Sequence, residues 1–289
     1  MASFDYVKTT SLKNLFDALE VTKSEGAILA GGTDLLVKIK LGLASYRVVF
    51  DINDINDLQG IREHDNSLRI GAGTRISEIA DSETVKRWVP SLYMAANQVG
   101  SPQVRNRATI GGNILTASPA ADTVPPLLAA GSVLTMCGRD GERAVPIESF
   151  MTGPGRTSIR EGEILVAITV PKLTEGYRSH FIKVGRRRSM AISLVNMAGR
   201  LKRGPSEVIE DVSLVLGAVG PTAIRARKAE EYLKGKACSR LIIEEGARLT
   251  AEEARPITDI RGTEGGRRSL VEGWTFRLLQ VLIKEKKLN

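Results

Sequence analysis

Histidine, cysteine and aromatic side chains are scarce in this chain of 289 residues, and each shortage removes a class of chemistry. Cys137 and Cys238 are the only two thiols, far apart and outside any C-x-x-C pattern, so cysteine alone can build neither a metal site nor an iron–sulfur cluster. His64 and His180 are the only imidazoles. Aromatic residues make up 4% of the chain, too few for the stacking platforms on which single-stranded nucleic acids are held. No stretch approaches the roughly 18 consecutive apolar residues of a membrane helix. The opening Met1-Ala2-Ser3-Phe4-Asp5-Tyr6 lacks the basic start and apolar core of a secretory leader, so the expected location is the cytoplasm.

What is present describes a folded chain with a basic surface. A hydrophobic content of 42% is ordinary for a globular core, and the length allows two or three domains. The formal net charge of +8 has its densest clusters at Arg186-Arg187-Arg188, Arg225-Ala226-Arg227-Lys228 and Lys284-Glu285-Lys286-Lys287. These clusters fall on different elements, which favours solvated faces with a cofactor or subunit contact over a nucleic-acid footprint.

Two double-glycine segments carry the most information: Ala30-Gly31-Gly32-Thr33-Asp34, preceded by Leu29, and Thr109-Ile110-Gly111-Gly112-Asn113. Each follows an apolar stretch, and each lets the backbone approach a ligand closely. Consecutive main-chain N–H donors of such loops suit phosphate oxygens, and two loops suggest a pyrophosphate between them. A tight turn or a packing contact accounts equally for either pair taken alone. After the second pair come Ser118-Pro119-Ala120-Ala121-Asp122 and then Thr123-Val124-Pro125-Pro126, which starts a helix. Asp122 is placed either to cap that helix or to accept from a ligand hydroxyl.

The element pattern is α+β. Ser11 leads a helix through Leu12, Leu15, Phe16 and Leu19 that stops at Gly26, and residues 27–30 read as a buried strand. Asp34 leads a short helix, residues 47–52 return as a strand, and this small α/β unit spans 1–57. A second unit, 58–175, opens with the strand 67–70 and Gly71-Ala72-Gly73-Thr74-Arg75-Ile76, which imitates a dinucleotide fingerprint but carries Ile76 at the third glycine position. Thr74 is placed to cap the following helix instead, and another helix starts at Pro90. Strands at 132–136 and 163–170, the turn at 139–142 and helices between them predict a mainly antiparallel sheet. Residues 151–160 form a loop rich in glycine and proline, long enough to be functional. The third unit, 176–289, reads as a sheet of three strands (180–184, 192–202, 212–219) backed by three helices from about Thr222, Ser239 and Ser269.

The segments 29–34 and 109–122, with Phe181-Ile182-Lys183-Val184-Gly185-Arg186-Arg187, resemble the FAD-binding subunit of molybdenum hydroxylases, the xanthine dehydrogenase and carbon monoxide dehydrogenase group. The resemblance runs over essentially the whole chain and is similar to stand-alone bacterial xanthine dehydrogenase flavin subunits at Thr152-Gly153-Pro154-Gly155 and Glu163-Ile164-Leu165-Val166. It implies a two-part FAD-binding domain of the PCMH type followed by the third unit as a C-terminal flavoprotein domain. It also implies that Leu29 to Asp34 and Thr109 to Asn113 hold the pyrophosphate and ribityl chain, that Ser118 and Asp122 contact FAD, that Leu165 lies beside the flavin and that Lys183 reaches the cofactor. On the residues alone, Leu165 is equally a core leucine and Lys183 a solvated edge residue. Val99 stands where relatives place an aromatic residue, and Ala191 where they often carry aspartate.

The implied function is electron transfer through noncovalent FAD, since neither histidine lies in the glycine motifs. No side chain is assigned as acid, base, nucleophile or metal ligand. The molybdenum cofactor and [2Fe-2S] clusters are expected on a large and a small partner subunit, in a dimer of heterotrimers with NAD or another acceptor. A xanthine dehydrogenase-like substrate is expected, with carbon monoxide or an aldehyde as the alternative. A self-sufficient flavin oxidoreductase and a basic binding protein without redox chemistry are the rivals from other classes.

Overall fold

The computed structural model describes residues 3–173, 175–187, 190–204 and 207–284. Arg188 and the Glu285-Lys286-Lys287 part of the last basic cluster lie outside the described residues.

The first lobe contains β1 (Asp5–Lys8), α1 (Leu12–Thr22), β2 (Gly26–Leu29), α2 (Leu35–Lys40) and β3 (Val48–Asp51). β3 lies between β1 and β2 and is parallel to both, with α2 as the crossover from β2. Ser11 Oγ accepts from Asn14 N and caps α1 as its spacing predicts. The helix ends at Thr22, earlier than Gly26, and a single 3-10 turn at Lys23–Glu25 fills the interval.

The middle lobe has β4 (Ile61–His64), β5 (Ser67–Gly71), α3 (Ile76–Asp81), α4 (Glu83–Trp88), α5 (Pro90–Asn97), α6 (Pro102–Arg105), α7 (Ile110–Leu115) and α8 (Val124–Ala129). It continues with β6 (Val133–Gly138), β7 (Gly141–Pro146), α9 (Ile147–Phe150), β8 (Met151–Gly153), β9 (Arg156–Thr157) and β10 (Ile164–Pro171). Its sheet runs β4-β5-β10-β6-β7 with every pair antiparallel. β10 is buried on both faces, which is why it reads as an unbroken apolar run. Leu165, Ile168 and Val170 join the core under the middle helices, while Ile164, Val166 and Ala167 pack into the core of the first lobe.

Three local expectations change here. Thr74 does not cap α3: Arg75 occupies that position and Thr74 Oγ1 donates to Gly60 O at 3.2 Å. The second glycine pair is not a loop but the first turn of α7, with Thr109 as its cap. The 151–160 segment holds the short β8–β9 hairpin.

The C-terminal part comprises β11 (Tyr177–Val184), β12 (Val195–Arg203), β13 (Ile209–Gly217), β14 (Ile224–Arg225), α10 (Arg227–Leu233), α11 (Arg240–Glu253) and α12 (Glu264–Ile283). The sheet has four strands rather than three, because residues after Pro221 pair as β14 with Val215 and Leu216 before α10 begins. One face, with Phe181, Ala198 and Val215, merges into the middle core, and the other, with Met197, Leu201 and Leu214, is covered by the helices. α12 starts at Glu264, before Ser269, despite three glycines of low helix propensity. Its stripe of Val271, Thr275, Leu278, Leu279 and Leu282 is buried on the sheet, so tertiary packing overrides propensity.

Glu230 ties these elements together: its buried carboxylate accepts from Leu214 N at 2.8 Å and from Arg225 at 3.1 and 2.6 Å. Removing one partner of a buried pair leaves the other charge uncompensated. Glu230→Ala is expected to lower the free energy of chemical unfolding by about 3 kcal/mol; a loss below about 1 kcal/mol would assign the pair to the surface class.

Candidate functional site

A cavity of 390 Å³ lies between the first and middle lobes. It shares Ile28, Leu35, Leu115, Ile159 and Glu163 with an adjoining cleft of 1160 Å³. Ala30, Gly31, Gly32, Thr33 and Asp34 line one wall, and Thr109, Gly111, Gly112, Asn113 and Leu165 line others. The two glycine motifs are therefore brought together, as the sequence predicts.

The motifs differ in what they offer. A Cβ at Gly31 would stand 2.1 Å from Arg107 O, so the first pair lets the lobes meet at backbone distance. Gly32 has φ +73°, a conformation that favours glycine. Among the described residues, no acceptor pairs with the main-chain N–H of Gly31, Gly32, Thr33 or Asp34. Four consecutive unpaired donors lining a cavity suit phosphate oxygens. In the second motif Ile110 N donates to Thr74 O, Gly111 N to Ala72 O, Gly112 N to Thr109 Oγ1 and Asn113 N to Thr109 O. That pair supplies no free main-chain donor, contrary to the expectation. Gly111 is needed for packing, since its Cβ would stand 2.7 Å from Ala72 O. The motif contributes the Asn113 amide instead, whose Oδ1 accepts from Thr123 Oγ1 at 2.6 Å and whose Nδ2 has no acceptor among the described residues.

Leu29 and Ile110 are buried behind this wall. Leu165 belongs to the middle core and also lines the cavity. Ser118 and Val99 line neither space; Ser118 Oγ accepts from Ala120 N, and Val99 packs in the middle core with its carbonyl accepting from Arg105 Nη1.

Asp122 and Lys183 form a separate centre. Asp122 does not cap α8, whose cap residue is Thr123. Its buried carboxylate accepts from Lys183 Nζ at 2.5 Å on one oxygen, and from Ser193 Oγ at 2.7 Å and Asn196 Nδ2 at 2.8 Å on the other. Lys183 Nζ also donates to Gln98 O at 2.9 Å. Far from being a solvated edge residue, Lys183 has a buried side chain and joins the C-terminal sheet to the middle lobe. Ser193 and Asn196 were not singled out from the sequence; the signal was a lone amide between Val195 and Met197 in an apolar strand. Gly217 makes room for it, as a Cβ there would stand 2.0 Å from Asn196 Oδ1.

Lys183 opens onto a groove of 620 Å³ that includes Arg105, Arg186, Arg187, Ala191 and Trp274 and, among the described residues, has no acidic side chain in its lining. Arg105, Arg186 and Arg187 donate to the carbonyls of Val99, Ile260 and Met190, and none has a carboxylate partner among the described residues. At the junction of cavity and cleft, Glu163 pairs with Arg143 at 2.6 and 2.7 Å. The Arg143 hydrogen bonds hold its carboxyl down to about 2. Among the described residues no group of histidine, cysteine and carboxylate side chains could hold a metal, and no helix is long and apolar enough to cross a membrane.

The comparisons show which family has this arrangement of lobes. The family model described as the FAD binding domain in molybdopterin dehydrogenase matches residues 2–173, and that of the CO dehydrogenase flavoprotein C-terminal domain matches 180–282. The glyceraldehyde dehydrogenase medium chain of Sulfolobus acidocaldarius is 34% identical, covering 95% of this chain and 96% of that one. The xanthine dehydrogenase FAD-binding subunit of Escherichia coli O157:H7 is 31% identical, with 96% of each covered. The structure of a carbon monoxide dehydrogenase from Hydrogenophaga pseudoflava that lacks the Mo-pyranopterin moiety of its cofactor superposes with a TM-score of 0.92 at 31% identity, covering 96% of each chain. The chain belongs to the FAD-binding medium subunits of the molybdenum hydroxylases, a family of oxidoreductases.

Two outcomes follow from this geometry. Gly31→Ala is expected to lower unfolding stability by about 1–3 kcal/mol through overpacking and to reduce cofactor retention, whereas Gly265→Ala, with open space around it, is expected to do neither. Parallel loss of retention in both variants would remove the close-approach argument. For Glu163 the folded carboxyl near 2 lies below its ordinary 4.5, so the ionised pair stabilises fully above pH 4.5 and is lost as pH falls from 4.5 towards 2. The melting-temperature gap between wild type and Glu163→Gln is expected to be constant from neutral pH to about 5.5 and to shrink below 4.5; a gap at pH 3 as large as at neutral pH would contradict it.

Proposed function

We propose that this chain carries FAD noncovalently in the interlobe cavity and moves electrons from iron–sulfur clusters of a small partner subunit to NAD or another acceptor. The observation that carries the reading is the row of four unpaired main-chain donors at Gly31, Gly32, Thr33 and Asp34 lining that cavity. They would hold the pyrophosphate, with Ala30 beside them in the same wall and Leu29 behind it, and with Thr109, Gly111, Gly112 and Asn113, backed by the buried Ile110, on the opposite side along the ribityl chain. Leu165 supplies an apolar wall, while Ser118 and Val99 stand outside the lining and Asp122 with Lys183 would act on the cofactor only from their separate centre. FAD, when bound, accepts electrons singly or in pairs and passes them on. The protein's own contribution is to bind, orient and shield it: the lobes meet at Gly31, and Asp122 holds Lys183 in place between the C-terminal sheet and the middle lobe.

The molybdenum cofactor belongs to a large partner subunit in this reading, and the complex is a cytoplasmic dimer of heterotrimers. The division 1–57, 58–175 and 176–289 follows from the same reading. The groove with Arg105, Arg186 and Arg187 supports an acceptor that carries phosphate, which favours NAD. A xanthine-type substrate is supported by the E. coli relative, and an aldehyde by the Sulfolobus one.

An absorption spectrum of the purified chain, followed by analysis of the supernatant after heat denaturation, tests the core of this reading. A flavin spectrum with about one released FAD per chain is expected, as noncovalent attachment requires. A colourless chain that takes up no added FAD, alone or with its partner subunits, would overturn it.

A further inference from the structure

The glycine- and proline-rich segment 151–160 forms a wall of the cavity, where Gly155 and Ile159 line it. Three attachments hold it there. Ser158 N donates to Phe150 O at 2.8 Å, which anchors the segment to a fully buried aromatic residue. Gly155 N, at the tip, donates to Ala117 O at 3.0 Å; Ala117 itself has φ +46°. The third is the Arg143–Glu163 pair, which does more than join two strands. Arg143 Nη2 donates to Ser158 O at 3.0 Å while pairing with Glu163 Oε2 at 2.7 Å, and the same oxygen accepts from Arg160 N at 2.8 Å. The pair therefore grips the end of the segment through both partners.

Neither strand of the sheet depends on this grip. β10 is held by its ladders to β5 and β6 and by burial on both faces, and β7 by its ladder to β6. Glu163 precedes β10, and its side chain lies where the cavity opens into the larger cleft. An ionic clip that binds a wall segment and leaves the core alone acts on the opening of the site. We propose that Arg143 and Glu163 are positioning residues that clamp segment 151–160 as the outer wall of the cavity, so that the pair sets how fast FAD leaves. This rests on the reading that FAD occupies that cavity.

The test compares the full FAD-loaded chain with Glu163→Gln, Arg143→Met and Glu163→Asp. FAD release is followed by the rise of free-flavin fluorescence after dilution, and global unfolding is timed separately by far-ultraviolet circular dichroism. Glu163→Gln and Arg143→Met are expected to release FAD at least about tenfold faster than wild type, on a timescale shorter than their own unfolding, as local opening requires. Glu163→Asp, which keeps the charge, is expected to restore much of the slow release. Release within about twofold of wild type overturns the clamp, and so does release that merely keeps pace with unfolding, because the pair then acts through stability alone. If the wild-type chain takes up FAD, these results bear on the clamp only; if it takes up none, the cavity reading fails and the clamp falls with it.

Discussion

Backbone contact between two lobes is the constraint from which the cleft follows. At Gly31 the first lobe comes so near Arg107 and Ala108 that a single methyl group would collide with the main chain. The approach matters because it brings a turn with unpaired donors to face a helix whose first-turn donors are all used. The donors of the first wall face an open cavity, whereas those of the adjoining wall are satisfied internally, so the two glycine motifs are not equivalent in what they offer a ligand. β10 makes the juncture rigid, since its two faces belong to two different cores.

A second joint fixes the remaining part. Asp122 lies just before α8 in the middle lobe, yet all its hydrogen bonds run to β11, β12 and the turn between them. A buried carboxylate is stable only when its lone pairs are filled, and here both oxygens are. The lysine that would otherwise be stranded in the interface gains its counter-charge and the Gln98 carbonyl. The joint also places the groove with Arg105, Arg186 and Arg187 on the far side of the same lysine.

Much of this was legible in the sequence. Hydrophobic periodicity and cap residues placed α1, α2, α5, β5 and β10 to within a few residues, and the glycine pairs marked the cavity. The α+β class and the antiparallel middle sheet followed from hairpin spacing. What was not legible depends on distance through space. Whether Gly111 serves a ligand or a neighbour turns on Ala72, far away in the chain, and local spacing carries no trace of that contact. The cap position of Asp122 was plausible by local rules, but the competing partners lie 61 to 74 residues away. β14 was read as helix because two residues beyond a proline hold too little pattern to show pairing. The sequence pattern starts α12 at about Ser269, whereas the helix begins at Glu264, held by packing that no local window contains.

Charge distribution links the two joints. Some cations of this chain are matched: Arg139 with Asp17 and Glu20, Arg248 with Glu245 and Glu252, Arg225 with Glu230. Part of the excess behind the net charge of +8 stands at the groove, where three guanidinium groups have only carbonyl partners among the described residues. Carbonyls orient a guanidinium without neutralising it, which leaves its charge available to a ligand. A nucleic-acid footprint would need that charge along an extended face with stacking side chains. Here the three guanidinium groups lie instead in a concave space, beside a lysine paired with Asp122. The groove and the cavity wall thus present donors in two different forms, guanidinium groups held by carbonyls at one and unpaired main-chain N–H groups at the other.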